Sequence, residues 1–309
     1  MKTVLFGTSA FAVPSLSALA AGKQLCAVVT QPDRPAGRGH KLRGTPVKAA
    51  ALELGVAILE PQRPAEILDE LRAFGADAFV VASYGRILPQ KVLDVPKLGA
   101  FNVHPSLLPL YRGATPLQAQ IRDLRATTGV TIILMDAGMD TGDIVVQESS
   151  ALGARETYGE LHDRLANDGA RLLERALELA EAGRLPRTPQ AGLAAVDEGE
   201  IAATLTHPLK PPDLQIDWTR SASRVDALIR SLSPQPAARS EVAGVRCKIL
   251  AAHPVERYDD GADAPGTAWT GSDGGLCVAC GEGAVEIERL VPPNRPEMSG
   301  AAFVASLRR

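Results

Sequence analysis

Gly99-Ala-Phe-Asn102-Val-His104-Pro105 is the stretch of this chain that decides the fold. It starts apolar and β-prone and then turns polar, which is typical of a buried strand that ends in a loop. Asn102 and His104 are two residues apart, so in an extended chain their side chains leave the same face. Pro105 and Pro109 bracket the next three residues and favour a loop over a helix. Since functional groups in open α/β sheets cluster where strands end, the stretch predicts both a fold class and the position of a site.

The first half of the chain surrounds this stretch with alternating apolar strands and helical segments. Strands are predicted at Thr3–Phe6, Leu25–Thr30, Phe79–Ala82 and Ala100–Val103. Helices are predicted at Pro14–Ala21, Val47–Leu54, Pro64–Phe74 and Pro116–Leu124, three of which open with Pro near the first turn. The remaining elements of the half are two strands and a long amphipathic helix, at Gly129–Asp136, Asp143–Ser150 and about Thr157–Ala182. This βαβ rhythm predicts an α/β domain with a doubly wound, mostly parallel sheet over residues 1–185.

The second half has a different pattern. Residues 186–206 lose periodicity and have the Pro, Gly and acidic composition of a linker. Residues 207–309 hold one predicted helix, Ala222–Ser231, among short strands that Gly and Pro separate. Those strands are Val245–Ala251, Gly266–Trp269, Leu276–Ala279 and Ala284–Leu290. The pattern predicts a small C-terminal β-barrel domain.

Composition excludes several classes of protein. The chain has 309 residues, of which 45% are hydrophobic and 22% charged, with a formal net charge of −3. That length suits two domains, and the absence of a global basic field means that an anionic partner must be met by local patches. No apolar run approaches the ~20 residues that span a bilayer, and the N-terminus lacks a signal-peptide layout, so we expect a soluble, cytoplasmic protein.

Common cofactor signatures are missing. The turn Phe6-Gly7-Thr8 follows the first strand without a G-x-G-x-x-G, and no P-loop occurs, which disfavours NAD and ATP. Cys277 and Cys280 form a C-x-x-C, but the other two cysteines are isolated, so a zinc site is disfavoured. The five histidines show no paired ligand spacing, and we predict catalysis without a metal ion.

Several motifs together resemble one enzyme family. Asn102-Val-His104, Ser106-Leu-Leu-Pro109, Arg112-Gly113 and Asp140-Thr-Gly-Asp143 are similar to the signature of formyltransferases that use 10-formyltetrahydrofolate. Within that family the chain looks like the enzymes that formylate initiator methionyl-tRNA. The likeness runs over nearly all of the chain and is strongest from Val4 to about Asp143. It implies a Rossmann-like formyltransferase domain, a smaller OB-like C-terminal domain that binds tRNA, and 10-formyltetrahydrofolate as formyl donor and co-substrate.

The resemblance implies catalytic roles for Asn102, His104 and Asp140, and elementary chemistry agrees. Formyl transfer passes through a tetrahedral intermediate, so it needs an oxyanion donor and a proton shuttle. The Asn102 amide donates without titrating, His104 exchanges a proton near neutral pH, and Asp140 could hold the imidazole. Asp136 and Asp143 are the competing carboxylates, and Asp143 is the better candidate for bracing the loop.

Two stretches resemble the family's folate pocket. Ser106, Leu107, Leu108 and Pro109 match its folate-binding signature, and an apolar, Pro-rigidified loop suits a flat pterin. Residues 81–89 resemble a second pocket-lining stretch, in which Tyr84 to Leu88 could shape the same cleft. A buried loop that serves stability alone would have the same composition.

The acceptor substrate is inferred from the Gly- and Pro-rich segment that starts at Gln31. The segment contains five basic residues and one acidic residue, Asp33. The basic residues are Arg34, Arg38, Lys41, Arg43 and Lys48. A basic loop suits phosphate contacts, although solvated surface charge is the commoner reason for such a run. The segment is similar to the loop with which these enzymes grip the acceptor end of tRNA, which implies tRNA contacts for Arg34, Arg38, Lys41 and Arg43, with Arg38 the principal one. From His207 onward the chain has 12 Lys and Arg against 13 Asp and Glu. This half is therefore not basic overall, and tRNA contact there needs a local basic patch.

Three rival functions stay open. A formyltransferase acting on a small amine, such as glycinamide ribonucleotide or an amino sugar nucleotide, would share Asn102, His104 and Asp140. A formyl-folate hydrolase would share them too, with water replacing the amine. A non-catalytic RNA-binding protein would need none of the three. We expect a monomer without membrane contact.

Overall fold

A computed structural model of the protein describes residues 1–36, 41–191, 193, 197–255 and 264–307. Its strands, in chain order, are β1 (Thr3–Gly7), β2 (Leu25–Val29), β3 (Arg34–Ala36), β4 (Lys41–Arg43), β5 (Ala57–Leu59), β6 (Ala78–Ala82), β7 (Ala100–His104), β8 (Thr127–Leu134), β9 (Asp143–Ala151), β10 (Ala238–Val242), β11 (Val245–Val255), β12 (Ala268–Thr270), β13 (Leu276–Ala279), β14 (Ala284–Val291) and β15 (Met298–Ser299). Its α-helices are α1 (Val13–Ala21), α2 (Pro46–Glu53), α3 (Leu68–Ala73), α4 (Gln90–Leu93), α5 (Pro116–Arg122), α6 (Tyr158–Glu181), α7 (Glu198–Ala203), α8 (Ala222–Leu232) and α9 (Gly300–Leu307). Short 3₁₀ turns lie at Ala10–Ala12, Pro64–Ile67 and Pro211–Leu214.

The chain folds into two compact units that are not simple halves of the sequence. Unit 1 comprises Met1–Pro116, Thr127–Ala151 and His162–Thr206. Unit 2 comprises Leu117–Ala126, Leu152–Leu161 and His207–Arg309. Each has its own hydrophobic core and is described by itself.

Unit 1 is built on a seven-stranded sheet with the order β5-β2-β1-β6-β7-β8-β9. The first five strands pair in parallel, and β7–β8 and β8–β9 pair antiparallel. The chain therefore winds outward from β1 first to β2 and β5 and then, on the other side, to β6 and β7. This confirms the doubly wound, mostly parallel sheet. The strand order reverses between β1 and β6, and in open α/β sheets ligands bind beside such a reversal, at the carboxyl ends of the strands.

The central strands are buried along their whole length. All residues of β1, β6 and β7 are buried, which is the pattern of strands covered on both faces. Phe6, Phe79 and Tyr84 meet in the core, with ring centroids 5.2 Å apart for Phe6–Phe79 and 5.5 Å for Phe6–Tyr84. The core thus lies directly beneath the carboxyl edge on which the site is expected.

Some elements of unit 1 were not anticipated from the sequence. β5 and α4 are only three and four residues long, too short for a periodic signal. The helix predicted at Pro64–Phe74 begins as a 3₁₀ turn, Pro64–Ile67, and becomes α-helical at Leu68. Helix α7 lies within the segment of linker composition. None of its residues is buried, so it has no apolar face that a sequence pattern could reveal.

Unit 2 carries an antiparallel sheet with the order β10-β11-β14-β13-β12, and β15 pairs with β14. Helix α8 buries Val225, Ile229 and Leu232 in one cluster with Ile249 of β11 and Val285 of β14. The expected C-terminal β domain is confirmed as an antiparallel sheet packed against this amphipathic helix.

Within the described residues, the helices all fall short of the length and apolarity that crossing a membrane requires.

Candidate active site

The end of β7 places two polar side chains in an otherwise apolar sheet. Asn102 is 9% exposed and His104 is 4% exposed. In the sheet they pair with Ile133 and Thr131 of the neighbouring strand β8. Being two residues apart on one strand, they face the same side, as the sequence predicts. A buried amide and a buried imidazole need hydrogen-bond partners, and those partners define the site.

Asp140 is the residue that joins them. Asn102 Nδ2 donates to Asp140 Oδ1 at 3.2 Å, and His104 Nδ1 lies 3.7 Å from the same oxygen. The backbone N–H of Gly113 donates to Asp140 Oδ2 at 2.8 Å. Gly113 has φ +109 and a Cβ there would stand 2.2 Å from the Thr206 carbonyl oxygen, so only glycine fits this donor position. The structure therefore brings together the three residues that the sequence nominated from two distant segments.

The second ring nitrogen of His104 also faces an oxygen. Nε2 lies 3.0 Å from the carbonyl oxygen of Tyr111, while Nδ1 faces the Asp140 carboxylate. A carbonyl and a carboxylate both accept hydrogen bonds, and a neutral imidazole has only one N–H to give. The neutral ring can therefore pair with only one of these two acceptors at a time.

A second layer of contacts fixes the loop that carries Asp140. Asp140 has φ +56, and Gln190 Nε2 donates to the carbonyl oxygens of Asp140 at 2.8 Å and Gly142 at 2.7 Å. Arg112 donates in turn to Gln190 Oε1 at 3.1 and 2.7 Å. Asp136 Oδ1 accepts from Gly138 N at 3.0 Å and from Thr141 Oγ1 at 2.7 Å, so Asp136 fills the bracing role that the sequence had suggested for Asp143.

The loop at Ser106–Pro109 is held just as firmly. Thr131 Oγ1 donates to the Ser106 carbonyl at 2.6 Å and accepts from Leu108 N at 3.2 Å. Gln147 Nε2 donates to the Leu108 carbonyl at 2.9 Å. Ser106, Leu108 and Pro109 are buried, and Leu107 is half-buried. A ligand would meet the backbone of this loop more than its side chains.

Tyr84 and Leu88 lie after β6, beside the reversal of strand order. Their side chains are 2% and 4% exposed and belong to the core of unit 1, whereas Ile87 between them is 87% exposed. The Tyr84 carbonyl accepts from Thr8 Oγ1 at 2.8 Å, which links the ends of β1 and β6. Burial raises the pKa of the Tyr84 phenol above its usual value. This stretch also offers a ligand its backbone, together with Ile87.

The basic segment forms a β-hairpin. Arg34 on β3 pairs in register with Arg43 on β4, and both side chains are exposed. Lys41 lies on β4, and Arg38 lies outside the described residues. Lys48, which the sequence adds to the positive count, is neutralised: its Nζ is 2.8 Å from Asp33 and 2.9 Å from Glu60. Those two carboxylates raise the pKa of the Lys48 ammonium.

Metal binding finds no support in the described part of the chain, where no group of three His, Cys, Asp or Glu side chains could hold an ion. Cys277 and Cys280 are buried, and burial raises the pKa of Cys280 to about 11. A thiol in that state is a core residue, since metal ligands and nucleophiles are thiolates.

Sequence reasoning missed the residues that position this site. Gln190 lies in the segment of linker composition, and Thr131 and Gln147 lie on strands where the pattern shows only alternation. Tyr111 and Gly113 act through backbone atoms. The Arg112-Gly113 motif is the single sequence signal for these supporting contacts.

Comparison with known proteins identifies the family of the chain. A family model for formyl transferase matches residues 1–177, and a model for the formyl transferase C-terminal domain matches residues 208–308. Methionyl-tRNA formyltransferase of Dinoroseobacter shibae is 43% identical over 310 residues, covering 99% of this chain and 98% of that protein. The protein of the same name from Ruegeria pomeroyi is 44% identical over 294 residues, covering 94% and 92%.

Solved structures show the same fold at lower identity. The N-formyltransferase of Helicobacter canadensis, in complex with folinic acid and dTDP-3-aminofucose, superposes with a TM-score of 0.66 at 17% identity, covering 93% of this chain and 98% of that one. HypX from Aquifex aeolicus with tetrahydrofolic acid gives 0.65 at 16% identity, covering 100% and 48%. Two matching domain models and relatives above 40% identity over nearly the whole length agree: the chain belongs to the formyl transferase family.

Proposed function

We propose that this protein transfers the formyl group of 10-formyltetrahydrofolate to the α-amino group of methionine on initiator methionyl-tRNA. The observation that carries the proposal is the contact of Asn102 and His104 with one carboxylate, Asp140, in a chain whose relatives at 42–44% identity are named for this reaction. The product is N-formylmethionyl-tRNA, and we propose that it serves translation initiation in the cytoplasm. We propose that the protein acts as a monomer.

Asn102 would stabilise the oxyanion. When the amine nitrogen attacks the formyl carbon, the C=O double bond becomes a C–O⁻ bond. One N–H of Asn102 is used by Asp140, and the other has no partner among the described residues. A fixed amide donor of this kind is worth about 10²–10³ in rate.

His104 and Asp140 would handle the protons. The attacking amine must lose one proton as its bond to carbon forms, and the folate nitrogen must gain one as its bond to that carbon breaks. His104 would carry this proton, and its ring is placed with Nδ1 near the Asp140 carboxylate and Nε2 near the Tyr111 carbonyl. Asp140 is held by Asn102 and Gly113, so its charge stays beside the imidazole.

The folate would lie at the carboxyl edge of the unit 1 sheet, against the loops at Ser106–Pro109 and Tyr84–Leu88. Both are fixed by side-chain hydroxyls that donate to their backbone carbonyls, so the wall that a flat pterin ring would meet is preformed. Two of the solved structures that share the fold were determined in complex with tetrahydrofolic acid or folinic acid, which supports a folate as the ligand.

The tRNA would be held by the basic hairpin and by the C-terminal domain. Arg34 and Arg43 are exposed on the hairpin, and Arg38 and Lys41 extend the same basic run. Contacts of this type position nucleic acid through its phosphates. The proposed boundaries are a catalytic domain over 1–185, a linker over 186–206 and an OB-like tRNA-binding domain over 207–309.

The test is formyl transfer from 10-formyltetrahydrofolate to methionine-charged initiator tRNA. Wild type is compared with His104→Ala, and with His162→Ala as a matched control, since His162 is a partly buried histidine of the same unit that packs on Phe11. Arg38→Ala is compared with Arg63→Ala, whose guanidinium is exposed and pairs only locally with Glu66.

The proposal predicts that His104→Ala loses turnover at saturating tRNA, that Arg38→Ala raises the KM for tRNA, and that both controls behave as wild type. Release of formate by wild type without transfer would indicate a hydrolase instead. Formylation of glycinamide ribonucleotide or of an amino sugar nucleotide, but not of the charged tRNA, would indicate a small-amine enzyme. RNA binding that is unaffected by His104→Ala, with no folate turnover, would indicate a binding protein.

A further inference from the structure

Gln31, at the carboxyl end of β2, has both ends of its amide engaged. Its Nε2 donates to the Tyr84 carbonyl oxygen at 2.8 Å, and its Oε1 accepts from Arg34 Nη2 at 2.9 Å. A guanidinium has only donors and a carbonyl only acceptors, so these partners fix the orientation of the amide. The Gln31 side chain therefore connects the first residue of the basic hairpin with the backbone after β6.

The approach of Gln31 to the Tyr84 backbone depends on the next residue. Gly85 has φ +75, and a Cβ at this position would lie 2.8 Å from Gln31 Nε2. Any larger residue would push the amide away and would be strained in this conformation. The contact is therefore built into two positions of the chain.

Tyr84 O is the point where two hydrogen bonds converge. Thr8 Oγ1 donates to it from the loop after β1, and Gln31 donates to it from the loop after β2. The Tyr84–Leu88 backbone is thus held at the reversal of strand order by neighbours on two strands. Removing Gln31 would leave Thr8 as the remaining donor that the structure shows.

We propose that Gln31 is a positioning residue that couples the basic hairpin to the Tyr84–Leu88 stretch. One amide thereby positions both the segment that binds tRNA, the formyl acceptor, and the segment that binds folate, the formyl donor. This inference rests on the proposed function, in which the hairpin grips tRNA and the Tyr84–Leu88 backbone lines the folate pocket. Gln31 touches neither reacting group in this assignment. It acts through Arg34 on one side and through the Tyr84 carbonyl on the other.

Two variants separate the two sides. Gln31→Ala removes both hydrogen bonds. Gln31→Glu keeps an acceptor for Arg34 but has no N–H for Tyr84 O, and it sets a carboxylate against a carbonyl oxygen. Gln24→Ala is the matched control, because Gln24 precedes the same strand at its opposite end.

The experiment measures the KM for each substrate in formyl transfer, together with calorimetric binding of tetrahydrofolate to the full-length protein. Loss of one net hydrogen bond corresponds to about a three- to tenfold effect. Gln31→Ala is expected to raise both KM values by about that factor, Gln31→Glu to raise the folate KM and the tetrahydrofolate Kd while sparing the tRNA KM, and Gln24→Ala to change none of them.

Both KM values within twofold of wild type in Gln31→Ala would overturn the inference, as would a rise in the tRNA KM alone in Gln31→Glu. If wild type transfers no formyl group to the charged tRNA, the proposed function fails first. Tetrahydrofolate binding then still decides the Gln31–Tyr84 half, because an unchanged Kd in Gln31→Glu contradicts it on its own.

Discussion

Two nearly buried aspartates, one in each unit, are held in opposite ways. In unit 2, Asp226 on α8 accepts from Arg155 Nη1 at 2.9 Å and from Arg230 Nε at 2.8 Å. In unit 1, Asp140 accepts from the Asn102 amide and from the Gly113 N–H, and His104 Nδ1 lies 3.7 Å from its Oδ1. The Asp226 side chain is 6% exposed and that of Asp140 is 15% exposed.

The difference shows what each carboxylate is able to do. Asp226 has a guanidinium on each oxygen, so its charge is neutralised and is committed to holding α8 in place. The hydrogen bonds that Asp140 accepts from described residues come from neutral groups, so its charge remains available to a neighbour that becomes positive. Two similar residues at similar depth are therefore assigned a structural role and a chemical role.

The largest expected effect lies on the chemical side. Asn102→Ala should lower kcat for formyl transfer by about 10²–10³, because a fixed oxyanion donor is lost, and should leave the KM for tRNA near that of wild type. Asn167→Ala is the control, since Asn167 is an exposed asparagine of unit 1 whose amide donates locally to the Asp163 carbonyl. Steady-state kinetics with charged initiator tRNA measure both. A fall in kcat below tenfold would remove Asn102 from the oxyanion role.

The next effect is on stability, in unit 2. Arg230→Met should lower the free energy of unfolding by about 3 kcal/mol, because of the two guanidinium partners that the structure shows for Asp226 it leaves the half-exposed Arg155. Arg220→Met breaks the exposed pair with Asp217 and should cost less than about 1 kcal/mol. Urea unfolding of both variants tests this contrast. Equal midpoints for the two would show that the Asp226 network is not structural.

A smaller effect is expected for Gln190, which supports the loop that carries Asp140. Gln190→Ala removes the hydrogen bonds to the Asp140 and Gly142 carbonyls and frees Arg112. We expect kcat to fall by about tenfold through misplacement of Asp140, with the KM for folate little changed. Gln215→Ala, at an exposed site of unit 2, is the matched control and should leave both kinetic constants unchanged. A wild-type kcat in Gln190→Ala would mean that the Asp140 loop holds its geometry without this support.

The smallest effect concerns the buried thiol of Cys280. Burial raises the pKa of Cys280 to about 11, against about 8.5 for an unfolded thiol. The folded state then binds the proton more tightly, so the stability contributed by the neutral thiol is complete below about pH 8.5 and is lost as the pH rises toward about 11. Cys280→Ala should flatten the decline of the unfolding midpoint between pH 8.5 and 10.5, which urea unfolding at a series of pH values measures. Parallel declines in wild type and Cys280→Ala would contradict this.

The sequence predicts the central strands and the chemical residues better than their supports. Asn102 and His104 stand out because polar residues at the end of an apolar strand break its pattern, and the family resemblance adds Asp140 from 36 positions further along the chain. Gln190 carries no such contrast, since it works on backbone carbonyls from a segment without periodicity. Arg230 and Asp226 are an i,i+4 pair that reads as an ordinary exposed ion pair until the packing of α8 is known. Lys48 looks like part of the basic run, and only the fold shows Asp33 and Glu60 against it.

The contrast between the two aspartates is tested most directly by making the same substitution at both. Asp140→Asn and Asp226→Asn are compared for kcat of formyl transfer to methionine-charged initiator tRNA and for the free energy of unfolding in urea. We predict a loss of about a hundredfold in kcat with little change in stability for Asp140→Asn. For Asp226→Asn we predict a loss of about 3 kcal/mol in stability with kcat near wild type. Near-wild-type turnover in Asp140→Asn, or a stability loss in Asp140→Asn equal to that in Asp226→Asn, would contradict the assignment of Asp140 to the chemistry.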